Sequence, residues 1–179
     1  MRAEAAAASA AISVSSPSFK DGDRIPPKHS EYADAVSVPL SWSPVKDARS
    51  YALIVEDPDA KPITPFVHWV AWNIPGDVTS LPEGLQEQDR LTLPEGLMQG
   101  RNSRNTIGYF GPQPPVGDGP HRYAFQVLAL DTVLDLPPGA DRDQVLAAAK
   151  GHIVGKGSIT GLYQQAVKPP KSGGPPANF

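Results

Sequence analysis

Cysteine is absent from this chain of 179 residues, and its absence excludes disulfide bonds and thiol chemistry. The redox compartment therefore cannot be inferred from cysteine pairing. No stretch approaches the ~18 consecutive apolar residues that indicate a transmembrane helix, so we expect a soluble protein with no membrane span. Clustered Lys and Arg residues are absent as well, and the formal net charge of −3 argues against a nucleic-acid-binding surface.

Neither a long charge block nor an internal repeat divides the chain, and 40% of its residues are hydrophobic. A chain of this length buries about 70% of its unfolded surface, so we predict a single domain over residues 15–167. Residues 1–14 are interpreted as a flexible leader that includes a candidate first strand, and residues 168–179 as a Pro/Gly-rich tail. A remnant of a processed precursor is the alternative for the leader, and a cytoplasmic location is expected ahead of a periplasmic or secreted one.

Proline is abundant, with 21 residues, and it separates the chain into short apolar segments. Segments rich in β-branched and aromatic residues between Pro, Gly and Asp turns are typical of strands. The candidate strands are residues 12–14, 38–42, 50–56, 66–74, 121–131 and 158–164. This pattern predicts a mostly β protein built as an antiparallel β-sandwich.

One short helix is predicted late in the chain. Asp141 is a suitable N-cap with Gln144 three residues later, and the Val-Leu-Ala-Ala-Ala run at 145–149 supplies helix formers. Lys150 complements the negative C-terminal end of the helix dipole, and Gly151 can end the helix.

The most informative segment is the Gly/Pro-rich loop at residues 108–123, which ends in His121, Arg122 and Tyr123. Proline restricts φ and removes N–H donors, whereas glycine permits close backbone approach. The composition therefore predicts the pre-shaped wall of a ligand pocket, with an ordinary hairpin connection as the alternative.

A second polar cluster lies upstream, where Asp57-Pro58-Asp59 follows the predicted strand at 50–56. Asp57 and Asp59 suit a functional carboxylate and a turn-forming residue equally well. In the next strand, alternation places His68 on one face with Phe66, Val70 and Trp72. A buried histidine needs a hydrogen-bond partner, so His68 is interpreted as either a structural histidine or a ligand contact.

Several ordered motifs lie between residues 15 and 165: Pro-Leu-Ser-Trp at 39–42, Ala-Leu-Ile-Val-Glu-Asp-Pro-Asp-Ala at 52–60, His-Trp at 68–69 with Asn73, Gly-Arg-Asn at 100–102, the loop at 108–123, and Ala-Leu-Asp at 129–131. Together they resemble the phosphatidylethanolamine-binding protein family, and most closely its bacterial Raf kinase inhibitor-like branch. The resemblance implies a β-sandwich of this family's type with a late helix beside the sheet. It also implies an anion-binding pocket and a role as a binder and regulator rather than an enzyme.

The resemblance assigns ligand binding to six positions: Asp57, His68, Gly111, Pro114, His121 and Tyr123. They match, in order, the first aspartate of the family's Asp-Pro-Asp motif, its strand histidine, two positions of its pocket loop, and its His-Arg-Tyr element. We assign no catalytic and no metal-ligating residue, and we expect no cofactor.

Two departures from the family pattern affect the pocket rim. Lys61 separates the Asp-Pro-Asp-Ala motif from Pro62, and Phe66-Val67 precede His68 where a second aromatic residue is common. They leave the geometry of the rim and its hydrophobic lip open. A chain that reverses in a proline-rich rim favours a cis bond, so we predict that Lys61–Pro62 or another X–Pro bond near Asp57 is cis.

The implied pocket suits an anion because imidazole N–H and phenol O–H groups donate hydrogen bonds at limited desolvation cost. We expect N–H donors from His68 and His121 and an O–H donor from Tyr123. Asp57 is expected to fix a histidine tautomer by accepting from the other ring nitrogen. Arg122 alternates to the opposite strand face and is interpreted as structural.

The leading hypothesis is a binding or regulatory protein whose pocket takes phosphate or a phospho-head-group and whose occupancy modulates a kinase or protease partner. The family resemblance alone suggests that partner. The alternative is a hydrolase that uses the pocket histidines and aspartates as acid and base. No His-Glu-x-x-His metal motif, complete phosphate loop or Gly-x-Ser-x-Gly elbow occurs in the sequence. The natural ligand, the partner and a homodimer are left open.

Overall fold

A computed structural model of the protein describes residues 10–166. Predictions about the first part of the leader and about the tail concern residues 1–9 and 168–179, which lie outside this described part. Strands dominate the described residues, as predicted. No helix within residues 10–166 is long and apolar enough to cross a membrane.

The elements follow one another along the chain as short strands first and the helix late. In order they are β1 (Ala10–Ala11), β2 (Val14–Ser15), a 3-10 helix (Pro27–His29), β3 (Leu40–Trp42), β4 (Ser50–Asp57), β5 (Phe66–Pro75), β6 (Ser80–Leu81), β7 (Met98–Gln99), β8 (His121–Leu130), α1 (Arg142–Ala149) and β9 (Ile153–Tyr163).

The strands form two sheets. The large sheet has the order β1-β9-β8-β4-β5-β7, and the small sheet has the order β2-β3-β6. In the large sheet β4 pairs antiparallel with both β5 and β8, β8 pairs antiparallel with β9, and β1 lies parallel to β9. Two layers of mainly antiparallel strands with one α-helix confirm the predicted sandwich with a late helix.

Two hydrophobic clusters hold the large sheet in place. The larger cluster lies between the two sheets, because it contains Leu40 from the small sheet and Tyr51 from the large one. The second cluster joins the large sheet to α1 and includes Trp72 and Val145. Burial of a large apolar side chain contributes ~1.5–3 kcal/mol, so the central strands are stabilised on both faces.

A β-bulge interrupts the pairing of β4 with β5 at His68. Val55 pairs with Trp69, but the next residue of β4, Glu56, pairs with Val67. His68 is therefore an extra residue in β5. A bulge of this kind breaks the alternation of side chains along a strand.

The bulge decides the face on which His68 lies. Its ring centroid is 5.1 Å from that of Tyr123, which belongs to the cluster between the sheets. Val70 and Trp72 belong to the opposite cluster, beside α1. The prediction that these two residues share a face with His68 is wrong, because strict alternation does not anticipate a bulge.

Helix α1 begins and ends as predicted. The Asp141 side chain accepts a hydrogen bond from the Gln144 backbone N–H at 2.9 Å, and the Gln144 side chain accepts one from the Asp141 N–H at 3.0 Å. Lys150 is the C-cap, and Gly151 follows with a φ of 82°. This reciprocal capping box is local in sequence, which is why the residue pattern was sufficient to place the helix.

The predicted strand at 12–14 is corrected by the structure. The chain forms β1 and β2 instead, and residues 12–13 carry it from the large sheet to the small one. The crossing is close, since a Cβ atom at Gly157 of β9 would collide with the carbonyl oxygen of Ile12. Two other strands start at a different residue than predicted, because β3 starts at Leu40 and β9 already at Ile153, and the ends of β4, β5, β8 and β9 differ by one residue. β6 and β7, with two residues each, are too short to show alternation.

Three X–Pro bonds within residues 10–166 are cis: Lys61–Pro62, Thr64–Pro65 and Leu93–Pro94. The first two lie in the loop that joins β4 to β5, directly after Asp57. The prediction of a cis bond near Asp57 is confirmed.

Candidate ligand-binding site

Three strand ends meet at one edge of the large sheet. β4 ends at Asp57, and its antiparallel neighbours β5 and β8 begin at Phe66 and His121. The end of one strand lies beside the start of its antiparallel neighbour, so the loops at 58–65 and 110–120 emerge at the same edge. They border a pocket of about 650 Å³.

The pocket collects polar, aromatic and charged side chains from these loops and strands. Its lining consists of Asp57, Asp59, Ala60, Lys61, Phe66, His68, Arg104, Phe110, Gln113, Pro114, Pro115, Asp118, His121 and Tyr123. Five of the six positions assigned from the sequence are in this set: Asp57, His68, Pro114, His121 and Tyr123. The sixth, Gly111, is not.

Gly111 supports the pocket loop from behind. Its backbone N–H donates to Glu31 Oε2 at 2.7 Å, so this donor is not available to a ligand. A Cβ atom at this position would collide with the carbonyl oxygen of His29, which explains the need for glycine. In the structure Gly111 therefore packs against residues 29–31 and does not line the pocket.

Residues 29–32 brace the same loop through two further hydrogen bonds. The Tyr32 hydroxyl donates to the Pro114 carbonyl at 2.7 Å, and the Tyr109 hydroxyl donates to the His29 carbonyl at 2.7 Å. Tertiary contacts therefore hold the loop in shape together with its own Gly and Pro residues.

His121 lies between two carboxylates. Its Nδ1 is 2.7 Å from Asp57 Oδ2, and its Nε2 is 3.0 Å from Asp118 Oδ2. Burial lowers the pKa of His121, but the hydrogen bonds to Asp57 and Asp118 outweigh it, and the pKa is raised above its ordinary value. The imidazolium form, which donates to both carboxylates, is thereby favoured. Neither N–H of His121 is free in this arrangement, contrary to the expectation of a donor directed at the ligand.

Asp57 fills both roles that the sequence left open. It is 2% exposed, and one carboxylate oxygen faces His121 as described. The other oxygen accepts a hydrogen bond from the Asp59 backbone N–H at 2.7 Å, which shapes the turn after β4. The carboxylate that orients the histidine is thus fixed by the turn that follows it.

His68 is a partnered, uncharged histidine. Its Nδ1 is 2.7 Å from the Phe110 carbonyl oxygen, and a carbonyl can only accept, so Nδ1 carries the proton. Burial lowers the pKa of His68 to about 4. The neutral ring therefore has an unprotonated Nε2, which accepts hydrogen bonds. The expected N–H donor toward a ligand is corrected to an acceptor.

An aromatic wall surrounds His68. Its ring centroid lies 4.8 Å from that of Phe66, 5.7 Å from that of Phe110 and 5.1 Å from that of Tyr123. The Tyr123 hydroxyl forms no hydrogen bond with any residue of the described chain, and burial raises its pKa. Tyr123 therefore stays protonated, and its O–H is not used by a residue of the described chain.

Asp59 is already neutralised by Arg122. The Arg122 Nε and Nη2 atoms lie 3.0 and 2.8 Å from the two Asp59 oxygens, and the Arg122 backbone N–H donates at 2.9 Å. The side-chain hydrogen bond from Arg122 lowers the pKa of Asp59 to about 2. Arg122 itself is not among the residues that line the pocket, and its pairing with Asp59 agrees with its interpretation as a structural residue.

Two pocket cations, Arg104 and Lys61, were not among the binding residues assigned from the sequence. The Arg104 guanidinium lies 5.2 Å from the Phe110 ring centroid, and neither it nor Lys61 forms an ion pair with a residue between 10 and 166. The Asn102 carboxamide oxygen accepts from the Arg104 N–H at 2.9 Å and from the Thr106 N–H at 3.2 Å. This turn brings Arg104 to the pocket. The Gly-Arg-Asn motif at 100–102 contributed to the family resemblance, but it did not predict that Arg104 lines the pocket.

Charge in the pocket is therefore distributed unevenly. Asp59 pairs with Arg122, and Asp57 and Asp118 share the single imidazolium of His121, whereas Arg104 and Lys61 form no ion pair in the described part of the chain. No group of three or more His, Cys, Asp or Glu side chains within residues 10–166 is arranged to hold a metal ion. With His121 protonated and Arg122 included, the four cationic groups at the pocket exceed its three carboxylates by one, so the net charge is positive.

Comparison with known proteins agrees with the fold and with the motif order. The family model for phosphatidylethanolamine-binding protein matches residues 15–164. A UPF0098 protein of Methanothermobacter thermautotrophicus is 47% identical over 148 residues, which cover 82% of this chain and 95% of that protein. A UPF0098 protein of Pyrococcus horikoshii is 43% identical over 148 residues, which cover 82% of this chain and 74% of that protein.

Solved structures show the same architecture. The phosphatidylethanolamine-binding protein homologue CT736 of Chlamydia trachomatis superposes with a TM-score of 0.78 at 37% identity, covering 88% of this chain and 99% of that one. YbcL of E. coli, described as a new member of the mammalian family, superposes with a TM-score of 0.79 at 32% identity. The match covers 86% of this chain and 98% of YbcL. With the family model matching most of the sequence, the chain belongs to the phosphatidylethanolamine-binding protein family.

Proposed function

We propose that this protein binds a small molecule with a phosphate or similar anionic group in the pocket beside Asp57 and His121. Membership in the family supports a binding or regulatory role in general. The observation that carries the finer proposal is the unpaired positive charge of Arg104 and Lys61, two exposed residues at the pocket rim. A guanidinium offers a planar set of N–H donors that matches the oxygens of a phosphate.

The interior of the pocket complements this rim. Tyr123 and His68 are 1% and 4% exposed, and they present an O–H donor and an Nε2 acceptor next to the aromatic wall. A ligand with a donor group, such as the P–OH of a phosphate monoanion, can use that acceptor. The volume of about 650 Å³ lies within the ~300–1,000 Å³ of small-molecule sites, which leaves room for a body attached to the anionic group.

Regulation of a kinase or protease partner by pocket occupancy is the wider part of the proposal. It is supported by the motif resemblance to the Raf kinase inhibitor-like branch and by the pocket's position in loops, where recognition residues are commonly found. A partner that binds the loops at 58–65 and 110–120 would distinguish the ligand-bound pocket from the empty one.

A binding role fits the pocket better than hydrolysis. The Asp57–His121 pair has the geometry of an acid–base dyad, with 2.7 Å between the atoms. However, the Nε2 atom that would exchange a proton with a substrate faces Asp118 at 3.0 Å, and the described residues that line the pocket include no Ser, Thr or Cys side chain for that dyad to activate. Saturable cleavage of p-nitrophenyl phosphate that disappears in His121→Ala would replace the binding proposal with an enzymatic one.

The proposal is tested by calorimetric titration with inorganic phosphate and phosphoethanolamine at matched ionic strength. Arg104→Ala should weaken binding about tenfold, because a hydrogen bond to a charged group contributes ~1.5–3 kcal/mol and every 1.4 kcal/mol is tenfold. Arg49→Ala is the matched control, since this exposed arginine precedes β4 at its other end. Equal losses in the two variants would show that Arg104 does not mark the site.

Thermal unfolding gives a second measurement on the unmodified protein. At about 100 times its dissociation constant, a ligand that binds only the folded state adds ~2.7 kcal/mol, which raises Tm by about 5–10 °C for a chain of this size. The absence of any rise with phosphate, phosphoethanolamine or acetate would refute an anion pocket.

A further inference from the structure

The Asp118 side chain lies at the pocket beside His121. Its carboxylate contacts His121 Nε2 at 3.0 Å, yet the side chain is 48% exposed to solvent. Asp57, the second carboxylate on His121, is almost fully buried and is tied to the turn after β4. The two carboxylates therefore differ in how easily they can leave the imidazole.

The backbone around Asp118 is anchored independently of the carboxylate. The Asp118 N–H donates to the Pro115 carbonyl at 3.1 Å, and the Asp118 carbonyl accepts from the Gln164 side chain at 3.1 Å. The neighbouring Gly117 N–H donates to the Gln165 carbonyl at 2.9 Å. Rotation of the Asp118 side chain alone therefore uncovers His121 Nε2 while the loop keeps its place.

We propose that Asp118 is a specificity-determining residue whose carboxylate occupies the place on His121 Nε2 that an anionic ligand group would take. The inference rests on the proposed function, because it concerns the same pocket. A ligand anion gains the Nε2–H donor only by displacing Asp118, and Asp57 continues to hold the imidazolium from the other side. Asp118 thus acts as an internal competitor that keeps weak or small anions off His121.

Removing the competitor should strengthen binding of inorganic phosphate. An exposed ion pair contributes up to ~1 kcal/mol, so Asp118→Ala should bind phosphate about fivefold more tightly in calorimetric titrations. Asp118→Asn should shift the affinity in the same direction by less, because its amide oxygen still accepts from Nε2–H but carries no charge. Asp47→Ala, an exposed site that precedes β4 at its far end, controls for the change in net charge.

Nitrogen-15 NMR of the His121 ring distinguishes two causes of tighter binding. One is direct contact of the anion with Nε2 in place of Asp118, and the other is the mere removal of a negative charge near the pocket. Saturating phosphate should change the Nε2 resonance in Asp118→Ala, since the anion then becomes the acceptor. A gain in affinity without a change at Nε2 would overturn the inference, as would unchanged or weaker binding in the Asp118 variants. If thermal denaturation shows that Asp118→Ala is not folded, the test rests on Asp118→Asn, which should bind phosphate more tightly than the unmodified protein by a smaller factor.

The outcomes also separate this inference from the proposed function. Phosphate binding by the unmodified protein with no gain in the variants leaves the anion pocket standing and removes only the role of Asp118. Absence of binding in all proteins refutes both. Binding that is detectable in Asp118→Ala but not in the unmodified protein supports both.

Discussion

Replacement of Asp57 by Asn tests the buried ion pair at the base of the pocket. The Asp57 side chain is 3% exposed and accepts from His121 Nδ1 at 2.7 Å and from the Asp59 N–H at 2.7 Å. Asparagine keeps the volume and one oxygen for the turn. Its NH₂ group then faces Nδ1, where only an acceptor can satisfy a protonated ring. The variant therefore removes the partner of the imidazolium with little change in packing.

The size and pH dependence of the effect follow from this geometry. A hydrogen bond between charged groups contributes ~1.5–3 kcal/mol, so Asp57→Asn should lower the free energy of unfolding by about 2 kcal/mol where His121 is protonated. The folded-state pKa of His121 is raised above 6.5, because the two carboxylate hydrogen bonds exceed the effect of burial. Stability from a raised pKa is fully present below the unfolded-state value and is lost as pH rises through the folded-state value.

The measurement is urea denaturation of both proteins from about pH 5.5 to about pH 8.5, analysed by linear extrapolation. The difference in unfolding free energy should be greatest below pH 6.5 and should narrow above it. Asp47→Asn, remote from His121 along β4, should show no such trend. A difference that is constant with pH, or smaller than about 0.5 kcal/mol throughout, would refute the argument.

Further predictions concern the loop and the rim. Gly111→Ala should lower the free energy of unfolding by ~1–3 kcal/mol, because the added Cβ meets the His29 carbonyl, whereas Gly119→Ala, which faces open space, should change it by less than about 0.5 kcal/mol. Thermal denaturation compares the two, and equal stability would show that residues 29–31 do not pack on the loop. Arg122→Ala should lower Tm only slightly, because its side chain is 61% exposed and exposed ion pairs contribute little. It should also weaken phosphate binding less than Arg104→Ala, and the opposite order would show that the rim cation is misassigned.

Local sequence was sufficient for the features that depend on neighbours in the chain. The capping box of Asp141 and Gln144 lies within one turn, so it predicted helix α1 with its ends. The long central strands β4, β5 and β8 were visible because each is buried on at least one face and bounded by turn residues. Motif order along the chain was enough to indicate the family and five of the pocket-lining residues.

Only the tertiary structure decided how the pocket chemistry is distributed. The bulge at His68 and its bond to the Phe110 carbonyl turn an expected donor into an acceptor, and both depend on residues far away in sequence. Asp118 and Arg104 sit on loops whose direction no periodicity encodes, because turns and Asx hydrogen bonds set it. Sequence patterns report which residues share a face, whereas the partner of each polar atom is chosen by the packing of separate loops at the sheet edge.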